Sequence, residues 1–446
     1  MINLPETNKK RVLIIGGGFA GLKLMRELEH SDFQVTLIDK NNYHQFQPLI
    51  YQVASAGLEP SAIAFSFRKL LRGKHHMLFR MAELRGIYPE QNMIQTSIGK
   101  AHYDYLVLAA GTVTNFYGNR DVEATAIPMK NVSDAMGLRN ALLSNFERAM
   151  TCATAEERRE LLNIVIVGGG ATGVEIAGAL AEMKRFILPS DYPELRCNEM
   201  QIYLIEGQDR LLGGMDKRSS AEAERSLTRM GVKVILGEQV KDYSNHAVTL
   251  ADGSTIPTQS FIWVCGVKAT PTNLPANLIG RGGRIQVDAF NRVQGMDNIF
   301  CIGDQCLMSA DPAYPGGHPQ LAQVAIQQAR QLAANLKQLS QGKEQAMKPF
   351  RYSNHGVMAT IGRNRAVAEV GKFKWHGWAA WVTWLTVHLM FILGVRNKML
   401  VFFNWLWNYL TYDRSIRLIL YARKATVVRE REEREAKVHL PDVAQA

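Results

Sequence analysis

One pattern is written twice in this chain, and it leaves few folds open. Residues 12–15, Val-Leu-Ile-Ile, run into Gly16-Gly17-Gly18-Phe19-Ala20-Gly21; a helical pattern follows to about His30, and the strand 34–38 closes on Asp39. Residues 164–167, Ile-Val-Ile-Val, run into Gly168-Gly169-Gly170-Ala171-Thr172-Gly173; a helical pattern follows again, and the strand 201–205 closes on Glu206. Continuous apolar runs bounded by turns read as strands buried on both faces. Strand, glycine turn, helix, strand and acid together make the βαβ unit of a doubly wound parallel sheet. In each G-x-G-x-x-G one glycine permits the tight turn, one lets a pyrophosphate approach the backbone, and one lets helix pack on strand. The helix N-terminus then offers unpaired N–H groups and its positive dipole end to phosphates. A lone glycine turn also joins strand to helix with no ligand, so the weight lies in the repetition. The second unit is the less regular: Asp39 lies 18 residues beyond Gly21, whereas Glu206 lies 33 beyond Gly173. A Pro-containing insertion around 186–198 lengthens that crossover.

Two further strand ends complete an ordered set. Tyr105-Leu106-Val107-Leu108-Ala109-Ala110-Gly111-Thr112 breaks at a glycine, and Asn298-Ile299-Phe300-Cys301-Ile302-Gly303-Asp304 ends in Gly-Asp. Glycine turn, A-x-G, second glycine turn and G-D in this order resemble the two-dinucleotide flavoprotein reductases. The resemblance implies FAD in the first unit, with Asp304 on its ribityl chain, and NAD in the second, where Trp263-Val264-Cys265-Gly266-Val267 is the matching strand end. A carboxylate at Glu206 accepts from a ribose 2′-hydroxyl and repels a 2′-phosphate, favouring NADH over NADPH. Lys40 beside Asp39 makes the first site less clear-cut. The expected fold class is α/β: two Rossmann-like dinucleotide-binding domains, the FAD domain interrupted by the NAD domain, plus a C-terminal membrane-anchoring helical region. The expected boundaries are 1–118 with 290–345 for FAD, 119–289 for NADH, and 346–446 for the C-terminal region. A length of 446 residues suits about three domains.

Many relatives in that superfamily reduce disulfides with a cysteine pair just after the first βαβ unit. Here that stretch reads Asn41-Asn42-Tyr43-His44-Gln45-Phe46-Gln47-Pro48-Leu49-Ile50-Tyr51-Gln52-Val53-Ala54 and contains no cysteine. Cys301 and Cys306 sit astride the Gly-Asp motif instead, so disulfide reduction is excluded. The five cysteines form no CxxC pair and no zinc spacing, which suits a reducing compartment and leaves no metal site. The first residues run straight into a strand pattern without an apolar signal region, an expectation against secretion.

The same stretch, H-x-F-x-P-L-hydrophobic-Y-x-V-A, resembles the type II NADH:quinone oxidoreductases. So do Ala322-Gln323-Val324-Ala325-Ile326-Gln327, the A-Q-x-A-x-Q signature, and Gly168–Glu175. The resemblance covers residues 11–420. It implies that Gly16, Gly18, Phe19, Ala20, Gly21, Asp39, Lys40, Leu84, Gly111, Asp304 and Ala322 lie along FAD. Gly168, Gly170, Gly173, Glu206 and Gly266 hold NADH. Gln323 and Gln327 line the quinone tunnel beneath the isoalloxazine, Gln323 also touching FAD. Glu175 delivers protons, and Lys372 stands where the family has a flavin-side lysine. Trp375 replaces a smaller aliphatic at the quinone mouth, and Lys374 competes with Lys372 for the lysine's place. Each role has a plain structural rival: an acid in a helix's first turn complements the dipole, and the glutamines could face solvent on an ordinary helix.

Net charge is +11, and residues 363–437 hold 14 Lys/Arg against 6 Asp/Glu. Such a basic stretch suits nucleic acid or anionic lipid. What accompanies the charge decides for lipid: six of the seven tryptophans lie within 375–407. Trp375, Trp378, Trp381 and Trp384 recur every third residue, and 376–395 carries no Lys, Arg, Asp or Glu. As one helix that stretch is about 30 Å long. Its threonines, histidines and glycines favour a helix lying in the interface over one that spans. With Arg396, Lys398, Arg414, Arg417, Arg423 and Lys424 nearby, residues of about 375–424 form a monotopic foot on an anionic leaflet, at the cytoplasmic face of the membrane. A buried homodimer interface is the alternative use of that surface. His376 and His388 read as interfacial or core residues, and the Arg/Glu tail 429–437 as a solvated helix. The expected function is membrane-attached, non-pumping NADH:quinone oxidoreduction. Two other readings stay open: a soluble NADH-dependent ferredoxin or rubredoxin reductase, and a flavoprotein that mainly binds or signals.

Overall fold

The computed structural model describes residues 1–196, 198–412 and 416–420. Cys197, Arg414, Arg423, Lys424 and the tail 429–437 lie outside the described residues. Lys10–Ile15 forms the centre of a five-stranded parallel sheet, paired with Phe33–Asp39 on one side and Tyr105–Leu108 on the other. Met77–Met81 and Ile299–Cys301 complete its two edges. Val12, Leu13 and Ile14 have no solvent exposure, as an apolar run covered on both faces requires.

A second five-stranded parallel sheet centres on Ile164–Val167, flanked by Ile202–Glu206 and Ser260–Trp263, with Val232–Leu236 and Ile127–Pro128 at its edges. All its strands fall between Tyr105–Leu108 and Ile299–Cys301 in the sequence, so the first sheet is interrupted by the second. The helices that position the sites are α1 (Phe19–Glu27), α2 (Val132–Thr151), α3 (Ala171–Glu182) and α4 (Ala322–Ser340). α1 and α4 pack on each other. The insertion at 186–198 is helical at its start: α3 runs on through a π-turn, Met183–Ile187, into Leu188–Asp191.

The strands Val357–Gly362, Arg365–Val370 and Phe373–His376 make an antiparallel sheet that lies on α3. A Cβ at Gly178 would overlap the carbonyl of Ile361, so only glycine lets that strand settle on the helix. Two helices follow, α5 (Trp378–Phe391) and α6 (Val395–Thr411). The uncharged stretch 376–395 is therefore not one helix. It is broken where Ile392 turns extended and Gly394 takes φ 75°. Nor do the four tryptophans share a helix face: Trp375 belongs to a strand, Trp378 is 61% exposed, and Trp384 is 1% exposed. No helix among the described residues is long and apolar enough to cross a membrane.

α6 is built inside out. Val395, Met399, Phe402, Phe403, Leu406 and Leu410 face outward, while the inner face is polar and fastened. Asn397 donates to the Ser61 and Ala62 carbonyls, Trp405 Nε1 to Gln52 Oε1 at 2.8 Å, and Asn408 to the Gly57 carbonyl.

Candidate functional site

Each glycine turn is braced by the acid that follows it. Asp39 accepts from the backbone N–H groups of Gly17 (2.6 Å) and Asn41 (2.7 Å), and Glu206 from those of Gly169 (2.5 Å) and Gln208 (2.8 Å). Gly16 takes φ +102° and a Cβ there would overlap the Ala109 carbonyl; Gly168 takes φ +116° against Cys265. The helices that start here, α1 at Gly18 and α3 at Gly170, have no side-chain cap, and neither does α4 at Leu321. Elsewhere in the body the helix starts at Asn119, Asn131, Thr154 and Asp216 are capped by those side chains. Bare N–H groups cost free energy when they are left dry; those at the two glycine turns stand at the N-termini of long helices, where an anionic ligand can engage them. Gly18 and Gly170 are exposed, and nothing lies within 4 Å of where their Cβ atoms would stand.

The first site gathers residues from far apart. Asp304 lies beside Thr112, Lys130 and Arg284; burial raises its proton affinity, and the two cations oppose this. Lys130 is itself depressed by burial. Gln328 accepts from the Gly303 N–H at 2.7 Å, Gln305 from the Ala110 N–H at 3.1 Å, and Gln320 donates to the Asp304 carbonyl. Together they fix the A-x-G and G-D strand ends. His44 is buried and its Nδ1 donates to the Gly17 carbonyl at 2.9 Å, with Phe19 edge-on at 5.3 Å. Ala20 and Gly21 are buried in α1. Lys40 is exposed; Leu84 lies two residues past Ala82, whose N–H bonds the Asp39 carbonyl. Gly111 takes φ +66°. In the second site Gly173 packs helix on strand, and Gly266 (φ +78°) lies under the exposed Tyr117 phenol. A flavin dinucleotide fits the first cradle, whose buried carboxyl and unpartnered Thr112 hydroxyl suit a polyol chain. A second dinucleotide fits the other.

Glu175 is the fifth residue of α3, not in its first turn, and it points inward with 9% exposure. The helix-dipole explanation therefore does not apply. Burial pushes its carboxyl up to about 8, opposed by the Thr360 backbone and the Trp384 indole. The Trp384 N–H faces that carboxyl without completing a hydrogen bond. Both border a cavity of about 130 Å³ shared with Tyr51, Glu182, Arg363, Trp381 and Trp405. On its other side Trp384 stacks on His388 at 4.0 Å, and burial holds that imidazole down to about 4.

The A-Q-x-A-x-Q glutamines do not face solvent, nor do they present free amides. Gln323 clamps the backbone of His355 (3.0 Å) and Gly356 (2.9 Å), and Gln327 clamps both backbone groups of Ser353 (3.0 and 2.8 Å). They strap the segment 353–356 to the start of α4, beside Ala322. Lys372 stands exposed on a hairpin turn and makes no ion pair among the described residues, whereas Lys374 pairs with Asp216 at 2.6 Å. Trp375 packs with Ala366, Ala368, Ala380 and Trp381.

Comparison with known proteins bears on this geometry directly. The family model described as pyridine nucleotide-disulphide oxidoreductase matches residues 10–329, and the NDH2 C-terminal domain matches 354–412. The chain is 33% identical to the type II NADH:quinone oxidoreductase NdhA of Mycobacterium tuberculosis, over 89% of this chain and 86% of that one. It is 31% identical to Ndh of the same organism, over 91% and 89%. It belongs to the type II NADH:quinone oxidoreductase family. NDH2 from Plasmodium falciparum in complex with NADH has the same fold, with a TM-score of 0.85 at 21% identity, covering 93% of this chain and all of that one.

The C-terminal family match covers the strands on α3 and both α5 and α6. Lys130, Tyr117, Gln305 and Gln328 border the two cradles and carry no sequence motif, whereas His44 opens the H-x-F-x-P-L run. A Gln one position beyond the A-Q-x-A-x-Q run was the only available signal for Gln328.

Proposed function

We infer that the chain is a membrane-attached, non-proton-pumping oxidoreductase that transfers hydride from NADH to FAD and then two electrons to a membrane quinone. The observation that carries this reading is the cavity that begins at Glu175, beside the second cradle, and ends among the aromatic side chains of the foot helices. It joins a nucleotide-binding body to a lipid-seeking base. FAD, when bound, supplies the two-electron chemistry; the chain binds, aligns and supplies protons.

In this reading Gly16, Gly18, Ala20 and Gly21 receive the FAD pyrophosphate at α1, and Asp39 and Lys40 its adenosine end, with Leu84 alongside. Gly111, Asp304 and Lys130 hold the ribityl chain, and Phe19, Ala322 and Gln323 border the ring. Gly168, Gly170, Gly173, Glu206 and Gly266 hold NADH. Gln323 and Gln327 act by strapping 353–356, which forms one wall of the quinone approach. Lys372, exposed on the turn before Phe373–His376, is the flavin-side lysine, and Glu175 donates a proton to the reduced quinone. We divide the chain into 1–118 with 290–345, 119–289 and 346–446; the two parallel sheets support the first two units.

The foot meets lipid. The outward apolar face of α6, with Trp378, Met390 and Phe391 of α5, has cations beside it in Arg396 and Lys398. An aliphatic and aromatic face next to basic residues suits the interface of an anionic leaflet. NADH is cytosolic, so the leaflet is the cytoplasmic one. A soluble ferredoxin reductase and a signalling flavoprotein have no use for such a base.

The test is anaerobic. Addition of NADH bleaches the flavin absorbance of the purified protein, and a soluble quinone analogue restores it. Bleaching without recovery, with recovery instead on a ferredoxin, refutes the quinone assignment. Cosedimentation with anionic vesicles tests the foot, and a dimer in detergent-free buffer that ignores vesicles refutes it.

A further inference from the structure

α3 carries two carboxyls that the chemistry above does not use alike. Glu175 is buried; Glu182 is half-exposed seven residues on, about 10 Å along the same helix face. Both border the cavity of about 130 Å³. The walls between them are polar as well as aromatic: Gln52, Thr360 and Asn408 contribute. Trp384, 1% exposed, turns its indole N–H toward the Glu175 carboxyl across this space without completing a hydrogen bond. A void with several unsatisfied or polar groups and room for several waters holds them, whereas an apolar void of that size stays dry.

We propose that this cavity is the proton inlet of the enzyme, Glu182 at its outer end passing protons through enclosed water to Glu175 at its inner end. The proposal rests on the quinone-reductase reading. One quinone takes up two electrons and two protons. NADH brings both electrons and one proton as hydride, and the second proton comes from solvent. The O–H bond of Glu175 breaks as a quinol O–H bond forms. The carboxylate left behind takes a proton from cavity water, which Glu182 and the solvent replace. Among the described residues, the other charged or titratable groups on this cavity are Arg363, from the turn after Val357–Gly362, Tyr51, and Tyr409 and Tyr412 of α6 and its end. The Arg363 guanidinium is held between the two tyrosine rings at 4.0 and 3.9 Å, leaving its backbone N–H on Glu182. His388 is screened from the cavity by the Trp384 ring.

The plain alternative is that Glu182 only caps the Gly362–Arg363 turn. Glu182→Gln separates the two, since an amide oxygen accepts the Arg363 N–H but carries no transferable proton. In stopped flow with the flavin-loaded enzyme at pH 8–9, flavin recovery on a short-chain quinone slows about tenfold or more in Glu182→Gln. Its solvent deuterium isotope effect rises, and millimolar imidazole, small enough for the cavity, restores the rate. NADH bleaching reports that the variant is folded and loaded. Ala179→Leu, which fills the cavity one turn from each acid, gives the same slow recovery without touching either carboxyl, and stands in if Glu182→Gln does not fold. Wild-type recovery on quinone together with unchanged recovery in both variants overturns the inlet alone. Failure of the wild type to recover overturns the inlet and the quinone reading together.

Discussion

Glu175 shows how far surroundings move a single carboxyl. Removed from water, with an indole and one backbone amide for company, it stays protonated up to about 8, where an ordinary glutamate is long since ionised. Quinone-dependent flavin recovery is then flat at neutral pH and falls as pH rises through about 8. Glu175→Gln lowers it by roughly 10²-fold and removes that profile; an unaltered profile in the variant rules the acid out. Stability carries the same signature. Because the folded carboxyl titrates above its unfolded value, its contribution is whole below the unfolded value and is lost as pH climbs through the folded one. Glu175→Gln therefore melts several degrees higher than the wild type at pH 8 and alike at pH 4, as calorimetry over that range would show. At the second cradle Glu206→Gln keeps an acceptor for the Gly169 N–H but drops the charge, so the kcat/KM preference for NADH over NADPH narrows about tenfold or more. Asp39 and Glu206 were legible because each closes the second strand of a glycine-turn unit, 18 residues beyond the last glycine in one and 33 in the other. Lys130, Gln305 and Gln328 were not: each reaches the flavin cradle through tertiary folding, and local pattern holds no trace of that.

At the scale of elements, α6 carries the clearest consequence. Its asparagines are turned inward and its phenylalanines outward, the reverse of a soluble surface helix. Each large apolar side chain taken out of water contributes about 1.5–3 kcal/mol. Replacing both Phe402 and Phe403 by Ser therefore abolishes cosedimentation with anionic vesicles, while turnover with a water-soluble quinone persists. Retained cosedimentation would place the lipid contact elsewhere. The strap at 353–356 makes a second case. Gln327→Ala leaves both backbone groups of Ser353 without their partner, at about 1–3 kcal/mol for each one kept from water. The melting temperature falls and KM for quinone rises, with KM for NADH unchanged. The sequence announced an aromatic, uncharged stretch correctly but not its break. A run free of charge has no internal mark where one helix ends, beyond Gly394 itself. Nor does a three-residue repeat of tryptophan say that Trp384 turns inward, because the pocket that receives it belongs to α3 and to residues 51–57.

The whole molecule is two interleaved parallel sheets on an aromatic base, and the interleaving was readable because it is built from local units in a telling order. Loading with FAD fills helix starts that nothing in the chain caps, so stripping the flavin lowers the melting temperature and adding it back restores it. A thousandfold excess over the dissociation constant corresponds to about 4 kcal/mol. A flavin-free protein that melts like the loaded one would show that those helix ends need no ligand.

Trp384 has a use beyond packing. It is rooted in a helix of the aromatic base, yet its indole faces the buried carboxyl of Glu175. With the foot on lipid, as proposed above, headgroup composition, detergent choice and lateral pressure become kinetic variables, read as a change in quinone-dependent flavin recovery between vesicles and detergent.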